Sequence, residues 1–354
     1  MENEDGPIAA PPARAGEEFR DDLRTVNQSA TGNLRRRLPA QELAALTRLS
    51  PLRSTWAIVH TLSLLALIIA VAVAHWTWWT AVLAVVLIAP LQHALFVLAH
   101  DAAHYRLFET RWLNDALGRF VGSIAGVSMC TYRVIHRLHH NHLYGPQDPD
   151  IALHGGYPRG TWYLVRKLLK DVTGQTAWKT YSYFFGAPAL NATTNVAQRP
   201  LDDTAESLRA AARRDRWGVL AFHVAAPIIA FGAGYGWQYL VLWVLPLLTL
   251  LQAILRLRAI CEHGAVTDYS SPLTAARTNL AGGLLRFVLF PHHVNYHVEH
   301  HLYPAVPHYR LPALHRALAA HGVLAGAEIC APRATFGRIF AERAAGASPA
   351  ALHG

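Results

Sequence analysis

Three short stretches carry residue types able to do chemistry. Asn295-Tyr296-His297-Val298-Glu299-His300-His301-Leu302-Tyr303-Pro304 places three histidines at i, i+3 and i+4. A helix would present them on one face, close enough to share a metal centre. His136-Arg137-Leu138-His139-His140 repeats that spacing, and His100-Asp101-Ala102-Ala103-His104 supplies an i, i+4 pair. An ordinary core has little use for clustered imidazoles, because each ring keeps a polar nitrogen that must be satisfied. Neutral imidazole is also the commonest metal ligand. Eight histidines in three clusters exceed the roughly four ligands that one zinc takes. The count points to two metal ions.

The elements that must hold these residues are written in the composition. The chain of 354 residues is 52% hydrophobic and 16% charged, yet carries a net charge of +9. That balance is odd for a soluble enzyme and expected of a membrane protein with basic segments on its cytoplasmic face. The basic residues are dispersed and no nucleic-acid motif accompanies them, so nucleic-acid binding is excluded. Cys130, Cys261 and Cys330 are widely separated, which leaves no disulfide framework and no clustered iron–sulfur module.

No charged residue occurs from Ser54 to His100. That is too long for one crossing and right for two, at about 20 residues each. The turn between them is expected near His75-Trp76-Thr77-Trp78-Trp79, where tryptophans suit an interface. Trp217 to Leu255 is also free of charge; it predicts two shorter spans with a turn near Gly234-Tyr235-Gly236-Trp237. Four crossings would put both termini and every basic segment on the cytoplasmic side. Residues 1 to 50 read as a polar, flexible or loosely helical lead-in without a cleaved signal peptide. Residues 51–330 form the membrane domain and 331–354 a tail. Arg35-Arg36-Arg37 reads as a solvated charge run. Residues 160 to 216, basic with scattered aromatics, suit amphipathic pieces lying on the bilayer. Gly118, Gly122 and Gly126, spaced by four, permit close helix packing.

That topology brings the clusters together. His100 and His104 end the second span on the cytoplasmic side, and the other clusters lie in segments on that side. Cys261-Glu262-His263-Gly264 follows the fourth span by about two helical turns, so His263 becomes a ninth candidate ligand. His93, seven residues before His100, reads as a satisfied interior histidine. His142, His292 and His293 flank the clusters in supporting or structural roles. His308 reads as a surface or turn residue.

In combination these residues resemble the membrane fatty acid desaturase/hydroxylase superfamily over roughly residues 55 to 320. The resemblance rests on His100-x-x-x-His104, His136-x-x-His139-His140 and His297-x-x-His300-His301 in the family's order. The flanks of the third cluster, with Pro307-His308-Tyr309, look like bacterial members. It implies an all-α membrane protein: four transmembrane helices in two hairpins, with a cytoplasmic helical cap holding a histidine-rich di-iron site. Asp101, Asp148, Asp150, Glu262 and Glu299 would then hold ligand imidazoles by their other nitrogen. It further implies O2 as co-substrate, a fatty acyl substrate drawn from the bilayer, and a bacterial inner-membrane location. No haem-binding or nucleotide fingerprint is present, so electrons are expected from a separate protein of ferredoxin, rubredoxin or cytochrome b5 type. Desaturation of an acyl chain is the first expectation, and hydroxylation or ketolation on the same scaffold the alternative. A metal transporter would place its coordinating residues inside the spans. Here the clusters sit at span ends, with only scattered histidines such as His60 and His223 within.

Overall fold

The charge-free run before His100 folds as the expected hairpin in a computed structural model, which describes residue 34 and residues 37–145, 148–185, 205–266 and 268–342. The lead-in before residue 34, Arg35 and Arg36, and the tail after residue 342 lie outside the described residues. Helix α1 (Ala40–Thr47) precedes α2 (Pro51–Ala74), which starts on proline where the missing N–H costs nothing. A turn through His75 leads to α3 (Trp78–Ala103), whose start is closed by reciprocal side-chain bonds between Thr77 and Thr80.

Helix α3 is the central element. Of its apolar window 72% is buried within the protein, against 28% for α2. It is packed by α2, by α4 (Arg111–Ile124) and by α5 (Met129–His142). The chain continues through α6 (Ile151–His154), α7 (Thr161–Val172), α8 (Ala177–Phe184) and α9 (Glu206–Gly232) to the long segment α10 (Gly236–His263). Within α10, a π-helical turn at Leu240–Val244 precedes Pro246, which donates no backbone hydrogen bond. Gln92 of α3 donates to the Trp243 carbonyl at 3.0 Å, so the irregular turn is answered from the central helix.

Helices α2, α3 and α10 are long and apolar enough to cross a membrane. The fourth expected crossing differs. Helix α9 carries Arg209, Arg213, Arg214, Asp215 and Arg216 in its first half, and its charge-free part begins only at Trp217. That leaves fewer than the roughly 20 apolar residues of a full span.

The cap is built from α11 (Gly283–Leu289), α12 (His297–Leu302), α13 (Leu311–Ala320) and α14 (Pro332–Ile339). Two short strands, β1 (Thr278–Asn279) and β2 (Ile329–Cys330), pair in parallel beneath α12. Leu38 and Leu46 are buried with Val298, Leu302, Leu314 and Leu318, and Ile339 is buried with Tyr157, Leu164 and Phe290. The packed part of the chain therefore extends past residues 51–330 at both ends.

One of the three spaced glycines packs helices closely: a Cβ on Gly118 would stand 2.3 Å from the Ala102 Cβ of α3, whereas one on Gly122 would meet the loop carbonyl of Val127 at 2.8 Å. Gly118→Val should overpack this seam and lower stability by about 1–3 kcal/mol. Because Ala102 lies between His100 and His104, metal content should fall with the melting temperature. Parallel measurement of both in detergent checks this, and an unchanged melting temperature would contradict the close approach.

Candidate metal centre

Each histidine-bearing element is tied down before its rings meet. Ser128 starts α5: its hydroxyl accepts from Thr131 N at 3.2 Å and donates to Asp215 of α9 at 2.9 Å. Asp215 also takes the Cys130 N–H at 2.9 Å, a carboxylate on the positive end of the helix. At the other end of the seam, buried Arg133 donates to the Ala102 and Ala103 carbonyls at 2.9 and 3.0 Å and pairs with Asp115 at 2.6 Å. One side chain thus answers the open carbonyls of α3 beside His100 and His104. Arg277, fully buried, does the same for α10. It donates to the carbonyls of Cys261, Gly264 and Ala265 at 3.2, 2.9 and 2.8 Å, around His263.

The rings then fall into two groups. His100, His104, His136 and His300 offer nitrogens within 4.8 Å of one another, and so do His139, His263, His297 and His301. His140 lies between them. Its Nε2 is 3.0 Å from the Nε2 of both His136 and His300, and its ring stacks at 4.2 Å on His301. All nine sequence-derived candidates thus converge, but neither triplet serves one centre. Helix α5 sends His136 to the first group and His139 to the second; α12 sends His300 to the first and His297 and His301 to the second.

The nitrogens that face one another cannot all be satisfied by protons. His263 Nδ1 bonds the Ala275 carbonyl at 3.1 Å, an acceptor only, so that nitrogen carries the hydrogen. Its Nε2 is left with one lone pair, yet faces His139 Nε2 at 3.2 Å and His297 Nε2 at 2.8 Å. His300 Nε2 likewise faces His100 at 3.1 Å and His140 at 3.0 Å. His104 Nε2 and His297 Nδ1 are buried without a partner. Burial, reinforced by neighbouring rings, holds His136, His140, His297, His300 and His301 well below the usual imidazole range. They are therefore neutral, the form that binds metals. Convergent neutral lone pairs fit two metal ions with nitrogen-rich coordination.

Four of the five named carboxylates stand near ligand rings. Asp148 accepts from His139 Nδ1 at 2.9 Å, and Asp150 lies 3.7 Å from the same nitrogen. Burial pulls the His139 ring down, but these carboxylates outweigh it and hold the ring at about 9. Asp101 reaches His100 Nδ1 at 3.4 Å, and Glu262, paired with Arg258 at 2.9 Å, lies 3.7 Å from His297. Glu299 instead turns away from the rings of α12, bonding Thr278 and His315, each at 2.5 Å.

His308 corrects the sequence reading. It is buried rather than at the surface, and its Nδ1 and backbone N–H both reach Asp101 Oδ2, at 2.7 and 3.1 Å. It thereby holds the carboxylate that holds His100. The seam between α3 and the loop before α13, which buries it, has no trace in local spacing. His93 is interior as expected, but neither ring nitrogen has a hydrogen-bond partner. His142, His292 and His293 stay outside both groups; His292 lies 3.4 Å from Thr61 Oγ1, and His293 accepts from Arg286 at 2.9 Å. His154, which sequence reasoning missed, is buried beside His139 and His263. It lies alone in the chain, so no spacing pointed to it.

Residues 76–329 match the family model described as fatty acid desaturase. The chain is 27% identical to a dihydrorhizobitoxine desaturase of Bradyrhizobium elkanii, over 66% of this chain and 66% of that protein. It is 27% identical to a beta-carotene ketolase of a Paracoccus species, over 63% of this chain and 74% of the relative. A Delta(12)-fatty-acid desaturase of Arabidopsis thaliana is 27% identical, over 61% of this chain and 60% of its own length.

Two outcomes follow from the site. Asp148→Asn should weaken metal retention by about 10–100-fold in competition with a chelator, since it removes the anion behind His139. Retention equal to the parent would remove Asp148 from that role. The second outcome concerns acid. Burial holds His154 at about 4 and His292 at about 3, whereas an unfolded ring titrates at roughly 6.5. Below that value the unfolded chain takes up protons that the fold refuses, so stability is full above pH 6.5 and falls as pH drops toward 4. His139, at about 9, keeps its proton in the fold; its contribution is full below pH 6.5 and is lost as pH rises toward 9, so it does not cause the acid-side decline. The melting temperature of metal-free protein in detergent should decline steadily over the window; a flat profile would contradict the buried neutral rings.

Proposed function

The chain belongs to the fatty acid desaturase family, and from that premise we propose that it is an O2-dependent di-iron oxidoreductase of the membrane that introduces a double bond into a fatty acyl chain. The observation that carries the reading is the division of the histidines into two buried groups with His140 between them. An unactivated alkyl chain yields hydrogen only to an oxidant that no side chain supplies, and a pair of iron ions supplies it by activating O2. In the balanced reaction the chain loses two hydrogens, a donor gives two electrons, two protons enter, and O2 leaves as two waters.

The protein's own residues prepare this chemistry. His100, His104, His136 and His300 would hold one ion and His139, His263, His297 and His301 the other, with His140 facing both groups. Asp148 and Asp101 fix their partner rings by the remote nitrogen and raise the basicity of the facing one. His308 keeps Asp101 turned toward His100. The buried apolar end of α3, through Leu95, Val97, Leu98 and Ala99, excludes water from the approach to His100.

The second reading, oxygen insertion, is favoured by the likeness to a protein named as a beta-carotene ketolase. The likeness to a protein named as a dihydrorhizobitoxine desaturase supports including substrates other than fatty acyl chains in the same test. Expression in a heterologous host with mass-spectrometric profiling of lipids separates the outcomes: an alkene supports desaturation, whereas an alcohol or ketone replaces it with the second reading. The electrons would come from a separate protein of ferredoxin, rubredoxin or cytochrome b5 type. Both termini would lie in the cytoplasm of a bacterial cell, with the charge-free part of α9, from Trp217 onward, making a shorter fourth crossing. Segments α7 and α8, with exposed Trp162, Leu169 and Trp178 beside Arg166, Lys167 and Lys179, would rest on the cytoplasmic leaflet.

Purified protein should contain close to two irons per chain; a single zinc, with activity surviving iron removal, would sink the proposal. His263→Ala should lower iron content and abolish turnover while the protein still inserts. His308→Ala, acting through Asp101, should cost less, on the order of 10–100-fold. Full iron and normal turnover in His263→Ala would remove it from the ligand set.

A further inference from the structure

Beside the second histidine group lies His154, a buried ligand-capable side chain that the proposed reaction leaves unused, next to His139 and Asp148, which it does use. His139, Asp148 and His154 are all buried and bring ligand atoms within 4.8 Å of one another. His154 ends α6 with 1% of its surface exposed, and neither of its ring nitrogens has a hydrogen-bond partner. Leaving such a ring unanswered in the interior is unfavourable. Its Nε2 points at Asp148 Oδ2 from 3.8 Å, too far for a direct bond. Tyr144 and His263 hold the ring there, each with centroids 4.9 Å away. Asp148 is equally fixed: the backbone N–H groups of Tyr144 and Asp150 donate to it at 2.9 Å, as does His139 Nδ1. Asp150 adds a second carboxylate 3.7 Å from His139 Nδ1.

We propose that His154, Asp148 and the Nδ1 side of His139 form a third cation site, suited to a divalent transition ion of borderline character such as Zn2+. Two imidazole nitrogens and a carboxylate oxygen are a usual zinc donor set with one position open. Ligands about 2.0–2.1 Å from a tetrahedral ion stand roughly 3.4 Å apart; His139 Nδ1 lies 2.9 Å from Asp148 Oδ1 and His154 Nε2 lies 3.8 Å from Asp148 Oδ2, so a small shift of the carboxylate would let one oxygen meet both rings through an ion. A water molecule would answer one His154 nitrogen, but a divalent ion also offsets the charge of two carboxylates. The ion takes the place of the proton that His139 Nδ1 shares with Asp148, and that proton leaves to solvent. The site then lies one imidazole ring from the second histidine group, and the inference rests on the reading of that group as iron-bearing.

The test uses tag-free, iron-loaded protein in detergent, exposed to excess Zn2+, passed through a desalting column and assayed for both metals. The parent should gain one zinc per chain without losing iron. His154→Ala should keep its iron and lose that zinc, and His154→Cys, which restores a ligand, should regain it. Should the alanine variant shed iron through misfolding, His154→Gln takes its place in the same comparison. The proposal is overturned if the parent gains no zinc, if zinc enters only as iron leaves, or if His154→Ala binds as much. A failure of the iron reading is distinct: it appears before zinc is added, as protein that holds no iron.

Discussion

His263 Nε2 has one lone pair and two imidazole nitrogens pressed against it, at 3.2 and 2.8 Å. That local surplus of lone pairs is repeated around His300, and everything else near the site follows from it. A buried polar group left unsatisfied costs about 1–3 kcal/mol, while the net stability of a domain is only about 5–15 kcal/mol. Nine convergent rings are therefore compatible with a stable fold only if a shared cation, or a few trapped protons, ties several of them at once. Burial makes trapped protons costly on most of the rings. The cluster therefore has the make-up of a site that could hold metal rather than of an ordinary packed interior.

The scaffold answers the same constraint from outside. Helices α3, α5 and α10 each carry site histidines at or just past their C-terminal ends. Helix C-termini carry partial negative charge, which favours a cation in the space between them. Their open carbonyls would otherwise need water that a dry site does not admit. Arg133 closes the end of α3 and Arg277 the end of α10. Each guanidinium is in turn neutralised by a carboxylate, Asp115 or Glu328. Arg133 and Arg277 direct their charge to backbone carbonyls and carboxylates, while Arg258, paired with Glu262, adds to burial in disfavouring the charged form of His297.

The carboxylates behind the rings show a graded hold. Asp148 takes three N–H groups and grips His139, whereas Asp101 depends on His308, brought from more than two hundred residues away. A network of this kind rigidifies when complete and fails when one member is missing. It also accounts for the packing of the cap on α3: His308 and His300 of α12 both reach the end of that helix, at Asp101 and His100.

Much of this was legible in the residues alone. Charge-free runs set the first hairpin to within a few residues, because the bilayer demands uninterrupted apolar length and that demand is local. The i, i+3, i+4 spacing of two clusters and the i, i+4 spacing of the third named them for the same reason, and reasoning about sides of a membrane added His263. Other features were not local. Neither triplet serves one centre, since α5 and α12 lie between the two groups and ridges one turn apart on the same helix face different neighbours. His308 and His154 gained their places, and Glu299 lost its expected one, through contacts across distant segments. The half-charged α9 shows the limit from the other side, where the count of apolar residues alone did not make a full span. Residue type and period determine which groups can ligate and which helices can be buried. Only packing decides which nitrogens meet, because a hydrogen bond or a metal bond is settled over a few ångströms that no sequence interval measures.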